Sequence, residues 1–431
     1  MTREDFRAKS LVDVFNLFKP EQFEVFTDEQ RDAFYQKTAA ARRSEHQYEY
    51  HDYLYSHIVA SNYASSHSRL LVVGHRGCGK STEILQLMKK LSQDGIPAVR
   101  IEATDDFDLY GFSYVDLFIA LVEKMVQYAE NNGLKVDARI MSAFQEALST
   151  KLTEEFWNAK AEIGVEGKLS VLLAKITSSL KMASNIKEGL RYEIGQKIYD
   201  IIECLNTMIA HLEKQASHTF VFIIDGLEKC RQECVRQLFT EDIAIFSAIK
   251  AHLAVVNPIA VYQSKDGKAI HGFNAPEVMP IIKIHNEDGS PHNEGINTIR
   301  KLILRRADES LFEENVLEEI IAKGGGNLWD TCVFISNSAF EAYMRHRTAV
   351  DMDSAKFTLS KYASDIFFRV DAKLFPRVKE IYQGDHTAKQ DAELSELLYT
   401  GAALMYNGKN WIDLHPLLRD YIASHPEVLD I

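Results

Sequence analysis

The apolar and polar positions of this chain follow two periods, one typical of buried strands and one typical of helices. Short apolar runs predict strands at 70–73, 98–102, 219–224, 254–256 and 278–284. Helical spacing of apolar residues predicts a helix at 81–94 and an almost wholly helical stretch at 113–215. The order strand, loop, helix and strand is that of a βαβ unit. The pattern therefore predicts an α/β fold whose parallel sheet is covered by helices.

The same pattern divides the chain into four predicted parts. They are an N-terminal helical segment at 1–60, an α/β core at 61–294, a helical domain at 295–374 and a small unit at 375–431. Within the core, a helical insertion is expected at about 113–215, with a break near 162–167. Turn formers at 288–291 mark the end of the core. In the last unit, Asn407-Gly408 predicts a hairpin over 401–414.

Composition and charge narrow the class of protein. A chain of 431 residues is too long for a single hydrophobic core. Its 49 Lys and Arg against 62 Asp and Glu give a net charge of −13, which disfavours nucleic acid as a partner without excluding it. The N-terminus lacks an apolar signal, and no apolar run approaches the roughly 20 residues of a membrane span. We therefore expect a cytoplasmic protein with reduced cysteines and no membrane partner.

One motif carries strong chemical information. The sequence Gly74-His75-Arg76-Gly77-Cys78-Gly79-Lys80-Ser81 matches G-x-x-x-x-G-K-[ST] in full, between a predicted strand and a predicted helix. Its glycines allow backbone N–H groups to curl around phosphates, and the helix start directs its positive end at them. Lys80 would reach the β- and γ-phosphates, and the Ser81 hydroxyl would ligate Mg²⁺. We predict that a nucleoside triphosphate is bound by Gly74, His75, Arg76, Gly77, Cys78, Gly79, Lys80, Ser81 and Thr82.

Acidic and amide residues at later strand ends are candidates for the rest of the site. Five apolar residues lead into Asp225, which we expect to hold the same Mg²⁺ as Ser81. Glu228 is a candidate for orienting or deprotonating the attacking water, and the alternative is a solvated acid at a helix N-terminus. Asn257 follows the strand at 254–256 and is either a catalytic residue near the γ-phosphate or a turn former before Pro258.

Two further observations concern the base. The Asn-Lys-x-Asp motif that selects GTP is absent from the sequence, so ATP is the expected nucleotide. The tyrosines between Tyr48 and Tyr63 precede the first strand, where they would either stack on adenine or pack in the core.

Taken together, these residues resemble the AAA+ and STAND branch of P-loop ATPases, with likeness to origin-initiator-type and NACHT- or KAP-type members. The P-loop continues as Ser81-Thr82-Glu83, and Asp225-Gly226-Leu227-Glu228 is similar to the second nucleotide motif of that group. The stretch 324–330 resembles the Gly-Gly-Asn-x-Arg pattern of the family's helical lid, and 399–417 is similar to a terminal winged helix. The resemblance implies an Mg²⁺-dependent ATPase with a lid and a winged-helix-like domain.

The chain departs from that family pattern at two places. Trp329 stands where the lid often carries a sensing arginine, and we expect it to pack in the lid core. No arginine occurs between Asn257 and Lys283, where such ATPases often place an arginine finger. Arg305 and Arg306 are candidates for that role, although lid packing is equally open to them, and Arg76 is a further possibility. These departures predict slow hydrolysis.

The sequence favours a nucleotide-driven switch that regulates assembly with partner proteins, as a homo-oligomer or beside a separate effector. By resemblance, such bacterial ATPases serve in antiviral defence or signalling. The alternative is an initiator- or loader-like ATPase that acts on DNA. From residue 376 onward, five Lys and Arg stand against nine Asp and Glu, which favours a protein-facing role for the last unit.

Overall fold

A computed structural model describes residues 6–42, 48–149, 169–182, 185–274, 277–406 and 411–430. The predicted break at 162–167 and the predicted Asn407-Gly408 turn lie outside these residues. No helix in the described ranges has the length and apolar character needed to cross a bilayer.

A five-stranded parallel sheet forms the centre of the fold, as the sequence predicts. Its strands lie in the order β2-β3-β4-β1-β5. Their bounds are β1 Arg69–Gly74, β2 Ala98–Glu102, β3 Val221–Asp225, β4 His252–Pro258 and β5 Glu277–Met279.

The fifth strand is much shorter than predicted. We expect a strand over 278–284, but it ends at Met279. The next residue is Pro280, which has no N–H for a ladder hydrogen bond. Beyond it, Ile281 forms an isolated bridge with Tyr406 of the C-terminal part, and Lys283 donates its N–H to the Ala41 carbonyl. The apolar run is buried as predicted, although most of it serves contacts outside the sheet.

Helices cover both faces of the sheet because alternate strand residues point to opposite sides. On one face, residues such as Leu70, Val72 and Ile223 pack with the helices Tyr50–Tyr63 and Lys80–Gln93. The other face packs with the helical insertion. The described insertion helices are Tyr114–Asn131, Ala138–Leu148, Leu169–Lys181, Asn185–Gly195 and Ile198–Ala216.

Short helices connect the later strands of the core. They are Ala103–Asp106, Gln232–Thr240, Ile243–Ser247 and Ile259–Tyr262, with 3₁₀ turns at Leu227–Lys229 and Lys265–Ala269.

The chain after the sheet is mostly helical. We call the helices Asn293–Leu304, Val316–Lys323, Leu328–Met344 and Met352–Phe368 the lid. The C-terminal part holds the helices Phe375–Tyr382, Ala392–Thr400 and Pro416–Ser424. Between the last two, β6 Ala403–Tyr406 pairs antiparallel with β7 Trp411–Leu414. We call this pair the hairpin.

The N-terminal segment, residues 6–42, packs against the lid as well as the core. It contains the short helices Leu11–Leu17, Gln22–Val25, Asp28–Phe34 and Ala39–Arg42. The Ser336 hydroxyl of the lid donates to the Phe15 carbonyl at 2.7 Å, and Ala8 forms a bridge with Ala307. The N-terminal segment is therefore in direct contact with the lid region.

Candidate nucleotide-binding site

The strand order brings the predicted site residues to one edge of the sheet. Because all five strands run parallel, their carboxyl ends lie along the same edge. β4 lies between β1 and β3, and its Asn257 is in register with Val73, next to the P-loop. Asp225 ends β3 on the other side. The P-loop, Asp225 and Asn257 thus share one region, although they are far apart in the sequence.

The P-loop has the backbone geometry that its glycines allow. Gly77 and Gly79 have φ angles of 81° and 102°, in the left-handed region that favours glycine, and a helix begins at Lys80. The buried Lys80 Nζ donates to the His75 carbonyl at 2.7 Å and to the Gly74 carbonyl at 3.2 Å. The same Nζ lies 3.7 Å from Glu228 Oε1. The ammonium is thus held inside the loop that is predicted to receive phosphates.

The predicted magnesium ligands, Ser81 and Asp225, are in direct contact. Ser81 Oγ donates to Asp225 Oδ1 at 3.2 Å, and Gly226 N donates to the same oxygen at 2.8 Å. Asp225 is fully buried. A hydroxyl and a carboxylate fit Mg²⁺, which prefers a few oxygen ligands completed by water and phosphate. No group of three or more His, Cys, Asp or Glu that suits a metal occurs in the described part of the chain.

Two charged residues beside Asp225 were missed from the sequence. Arg100 Nη2 lies 2.6 Å from Asp225 Oδ2, and the guanidinium also contacts Glu102. Burial, with Asp225 nearby, raises the pKa of Glu102 above its ordinary value. Gly226, at a φ of 81°, passes so close that a Cβ there would lie 2.3 Å from Glu102 Oε1. The available signal was the alternation Arg100-Ile101-Glu102 in an otherwise apolar buried strand.

Glu228 and Asn257 carry buried polar atoms that have no hydrogen-bond partner in the part of the chain that the structure describes. Glu228 Oε2 has none among the described residues, and its side chain is 8% exposed, so the alternative of a solvated acid is wrong. Neither amide atom of the fully buried Asn257 has a partner in the described ranges. Asn257 lies within β4, so the turn interpretation is also wrong. Buried polar groups are normally paired, and a ligand or water between these strand ends would satisfy them. Their catalytic roles stay predictions.

The lid contacts the P-loop directly. Trp329 N donates to the Gly77 carbonyl at 3.2 Å, and Asn327 Nδ2 donates to the Arg76 carbonyl at 3.2 Å. The Trp329 ring is half-buried beneath the Arg76 guanidinium, with its centroid 5.2 Å away. The expectation that Trp329 packs in the lid core is therefore wrong. The tryptophan covers the phosphate loop instead.

The hairpin also contacts the P-loop. Met405 N donates to His75 Nε2 at 2.8 Å, and the buried Cys78 side chain shares an apolar cluster with Leu404 and Tyr406. Burial lowers the pKa of His75 to about 3, so the imidazole is neutral and accepts this bond. The side chains of His75 and Cys78 thus serve the hairpin, and phosphate contacts predicted for these residues would come from their backbone.

The N-terminal segment closes the other side of the P-loop. The buried Arg42 donates to the Cys78 carbonyl at 2.6 Å, to Thr38 Oγ1 at 2.9 Å, and to the Pro280 carbonyl. Burial lowers its pKa, an effect that the nearby Glu83 and Glu49 oppose. This residue was missed from the sequence because nothing local distinguishes it from a surface arginine.

A cleft of about 280 Å³ runs from the P-loop into the N-terminal segment. One end is lined by Gly77, Lys80, Ser81, Thr82 and Glu228. The other end is lined by Pro20, Phe23, Phe26, Phe34, Leu302 and Arg306. Tyr50, Tyr53 and Tyr55 pack instead in the cluster with the P-loop helix, so the core interpretation holds for these three. Tyr48 and Tyr63 are exposed.

Arg305 lies against the N-terminal segment. Its Nε donates to Gln36 Oε1 at 2.9 Å and its Nη1 to the Ala33 carbonyl at 3.2 Å. These contacts explain its position without any nucleotide, and its predicted catalytic role has no support from them.

Residues 48–253 match the KAP family P-loop domain, just under half of the chain. The chain carries a KAP-type P-loop NTPase domain. This domain contains the P-loop, the helical insertion, Asp225 and Glu228, whereas Asn257 and the lid lie beyond the match. Its fold implies nucleotide binding and, in general, nucleotide hydrolysis. No curated protein matches the sequence.

Several solved structures are similar to most of the chain at low sequence identity. The Orc2 protein of Aeropyrum pernix, solved with ADPNP and ADP, is 11% identical over 88% of this chain and 92% of its own, with a TM-score of 0.42. The Orc1 protein of the same organism, solved with DNA, is 10% identical over 94% and 96%, at 0.38. The RuvB branch migration motor of Thermotoga maritima is 10% identical over 91% and 98%, at 0.33. Similarity at this level supports no inference about activity.

Proposed function

We propose that the chain is an ATP-driven switch that hydrolyses ATP slowly and controls assembly with partner proteins. One observation carries this proposal: consecutive P-loop residues are hydrogen-bonded to different parts of the chain. His75 accepts from the hairpin, while the carbonyls of Arg76 and Gly77 accept from the lid. A change at the phosphate loop therefore has a direct mechanical route to both.

The contacts of Lys80 supply the trigger. Its ammonium donates to the carbonyls of Gly74 and His75, at the base of the loop. The ammonium has three N–H donors. When these turn toward a phosphate, the hydrogen bonds to the two carbonyls break. His75 links this change to the hairpin, because its carbonyl loses the hydrogen bond from Lys80 while its ring accepts a hydrogen bond from Met405 N.

The other polar residues define the chemistry. Ser81 and Asp225 hold Mg²⁺, which neutralises phosphate charge when bound. Glu228 accepts a proton from the attacking water, and the buried amide of Asn257 positions that water. Arg100 fixes the orientation of Asp225 through its ion pair at 2.6 Å.

The output of the switch is a protein surface. The chain has a net charge of −13, and the C-terminal part that contacts the P-loop is acidic, so a protein partner fits better than DNA. Such a partner is a second copy of the chain or a separate effector, and the family resemblance suggests a defence or signalling setting in the cytoplasm.

Hydrogen–deuterium exchange of the full chain tests the switch. We expect Mg²⁺ with a non-hydrolysable ATP analogue to change exchange in the P-loop, in lid peptides over 324–330 and in hairpin peptides over 403–414. Lys80→Ala is the matched control, in which all three changes should vanish because the phosphates lose their main cation. Protection confined to the P-loop in a chain that binds the analogue would refute coupling to the lid and hairpin.

A further inference from the structure

Arg306 is a buried cation in the wall of the nucleotide cleft. It is 7% exposed, and its guanidinium lies among four phenylalanine rings of the N-terminal segment. The distances from Cζ to the ring centroids are 4.2 Å for Phe23, 5.7 Å for Phe34, 5.8 Å for Phe18 and 5.9 Å for Phe26. Rings at these distances attract the charge, but they do not satisfy its N–H groups.

Among the described residues, this guanidinium makes few of the hydrogen bonds that it could donate. Its Nε is buried without a partner among the described residues, and Nη1 contacts only the Cys332 sulfur, at 3.8 Å. Sulfur is a weak acceptor, and no acid of the described residues lies within ion-pair distance of the Arg306 guanidinium. Burial lowers the pKa of Arg306, yet an arginine stays protonated in a protein. A buried cation with free donors is costly, so an acceptor from a ligand would be strongly favoured.

The backbone around Arg306 is held from two sides. Its carbonyl accepts from Ala8 N at 2.7 Å, and its N–H donates to the Ile303 carbonyl at 2.8 Å. The residue therefore lies where the lid region and the N-terminal segment meet. This is the apolar end of the cleft, whereas Lys80 and Ser81 line the phosphate end.

We propose that Arg306 binds the base of the nucleotide, donating a hydrogen bond to an acceptor atom of a purine ring enclosed by the phenylalanines. The proposal rests on the proposed function, because it requires a nucleotide in this cleft. An apolar pocket with one well-placed polar group is the usual composition of a small-molecule site. The phenylalanine rings offer a surface on which the base can stack, and the hydrogen bond from the guanidinium fixes the orientation of the base. The phosphates are left to the P-loop.

Binding of ATP, ADP and inorganic tripolyphosphate to the full chain tests this assignment. We expect Arg306→Met to weaken ATP and ADP by the same factor, about tenfold, which is the value of one charge-assisted hydrogen bond. Tripolyphosphate should bind as in the wild type. Arg306→Lys keeps the charge among the rings, so it should fold readily, and we expect a loss of about threefold or more for ATP and ADP. Arg300→Gln, at the exposed pair with Glu309 and Glu318, is the control and should change nothing.

Two results would overturn the role of Arg306 while leaving the proposed function intact. An equal loss for tripolyphosphate would mean that the arginine only supports the cleft. A loss for ATP without a loss for ADP would make Arg306 a γ-phosphate contact instead. A wild-type chain that binds neither ATP nor ADP would overturn the proposed function, and the base assignment with it.

Discussion

The neutral His75 predicts a measurable dependence of stability on pH. Its imidazole is buried between the P-loop and the hairpin, and burial, with Lys80 nearby, lowers its pKa from 6.5 to about 3. As the pH falls below 6.5, the unfolded chain takes up a proton at this histidine and the folded chain does not. The contribution is therefore fully present above pH 6.5 and is lost as the pH falls toward about 3.

The size of the effect follows from the two pKa values. At pH 5, about 1.5 units below the unfolded pKa, the loss is about 2 kcal/mol, since each unit is worth about 1.4 kcal/mol. His252 is also buried, with its pKa lowered to about 4, so the wild type should lose a similar amount there. The comparison that isolates His75 is therefore wild type against His75→Gln, whose side chain carries an acceptor but does not titrate.

Urea unfolding followed by tryptophan fluorescence measures the difference, because Trp329 and Trp411 lie in the lid and in the hairpin. Between pH 7 and pH 5, we expect His75→Gln to lose about 2 kcal/mol less unfolding free energy than the wild type. The reasoning fails if both proteins lose the same amount. In that case the imidazole would be protonated in the folded chain, and the hydrogen bond from Met405 would not hold it neutral.

Three further predictions concern the site and its partners. Glu228→Gln should lower ATP turnover by roughly 10²-fold or more while ATP affinity changes little, as measured by phosphate release and calorimetry; unchanged turnover would remove Glu228 from the chemistry. Gly77→Ala should cost ~1–2 kcal/mol of backbone strain plus the displacement of Trp329, because a Cβ would lie 2.3 Å from Trp329 Cβ. Its control is Gly401→Ala, with a φ of 76° and no atom within 4 Å of a Cβ, which should lower the melting temperature less. Filter binding at low salt should detect no tight, salt-sensitive binding of duplex DNA, and its detection would favour the loader alternative.

The sheet and the phosphate site were predictable because their signals are local. Buried parallel strands give continuous apolar runs, and the first four appear within two residues or so of the predicted bounds. The P-loop and Asp225 follow directly after such runs, so parallel topology alone brings them together. The fifth strand was overestimated since an apolar run does not reveal whether its backbone pairs with a sheet or with the hairpin.

The contacts around the P-loop were not predictable, because they join residues that are distant in sequence. His75 and Met405 are 330 residues apart, and Asn327 and Arg76 are 251 apart. No local pattern identifies which N–H will meet which acceptor at such separations. The apolar end of the cleft could not be predicted for the same reason, since Phe23 and Phe26 are distant in sequence from the P-loop that lines its other end.

The arginines of the cleft bear on the proposed slow turnover. Those in the described residues that line it are Arg31, Arg42, Arg76, Arg100 and Arg306. Arg42 is held by backbone carbonyls, and Arg100 is held by Asp225. An arginine that stabilises the developing phosphate charge is worth ~10³-fold or more in rate, but only if its donors are free to reach that charge. Arg76 is exposed over Trp329 and has no salt bridge among the described residues. Unlike Arg42 and Arg100, it is therefore free to move toward the phosphates. Its position over the lid tryptophan would link that movement to a movement of the lid. While the lid rests on Gly77, Arg76 would stay over Trp329, and the chain would hydrolyse ATP slowly until a partner shifts the lid.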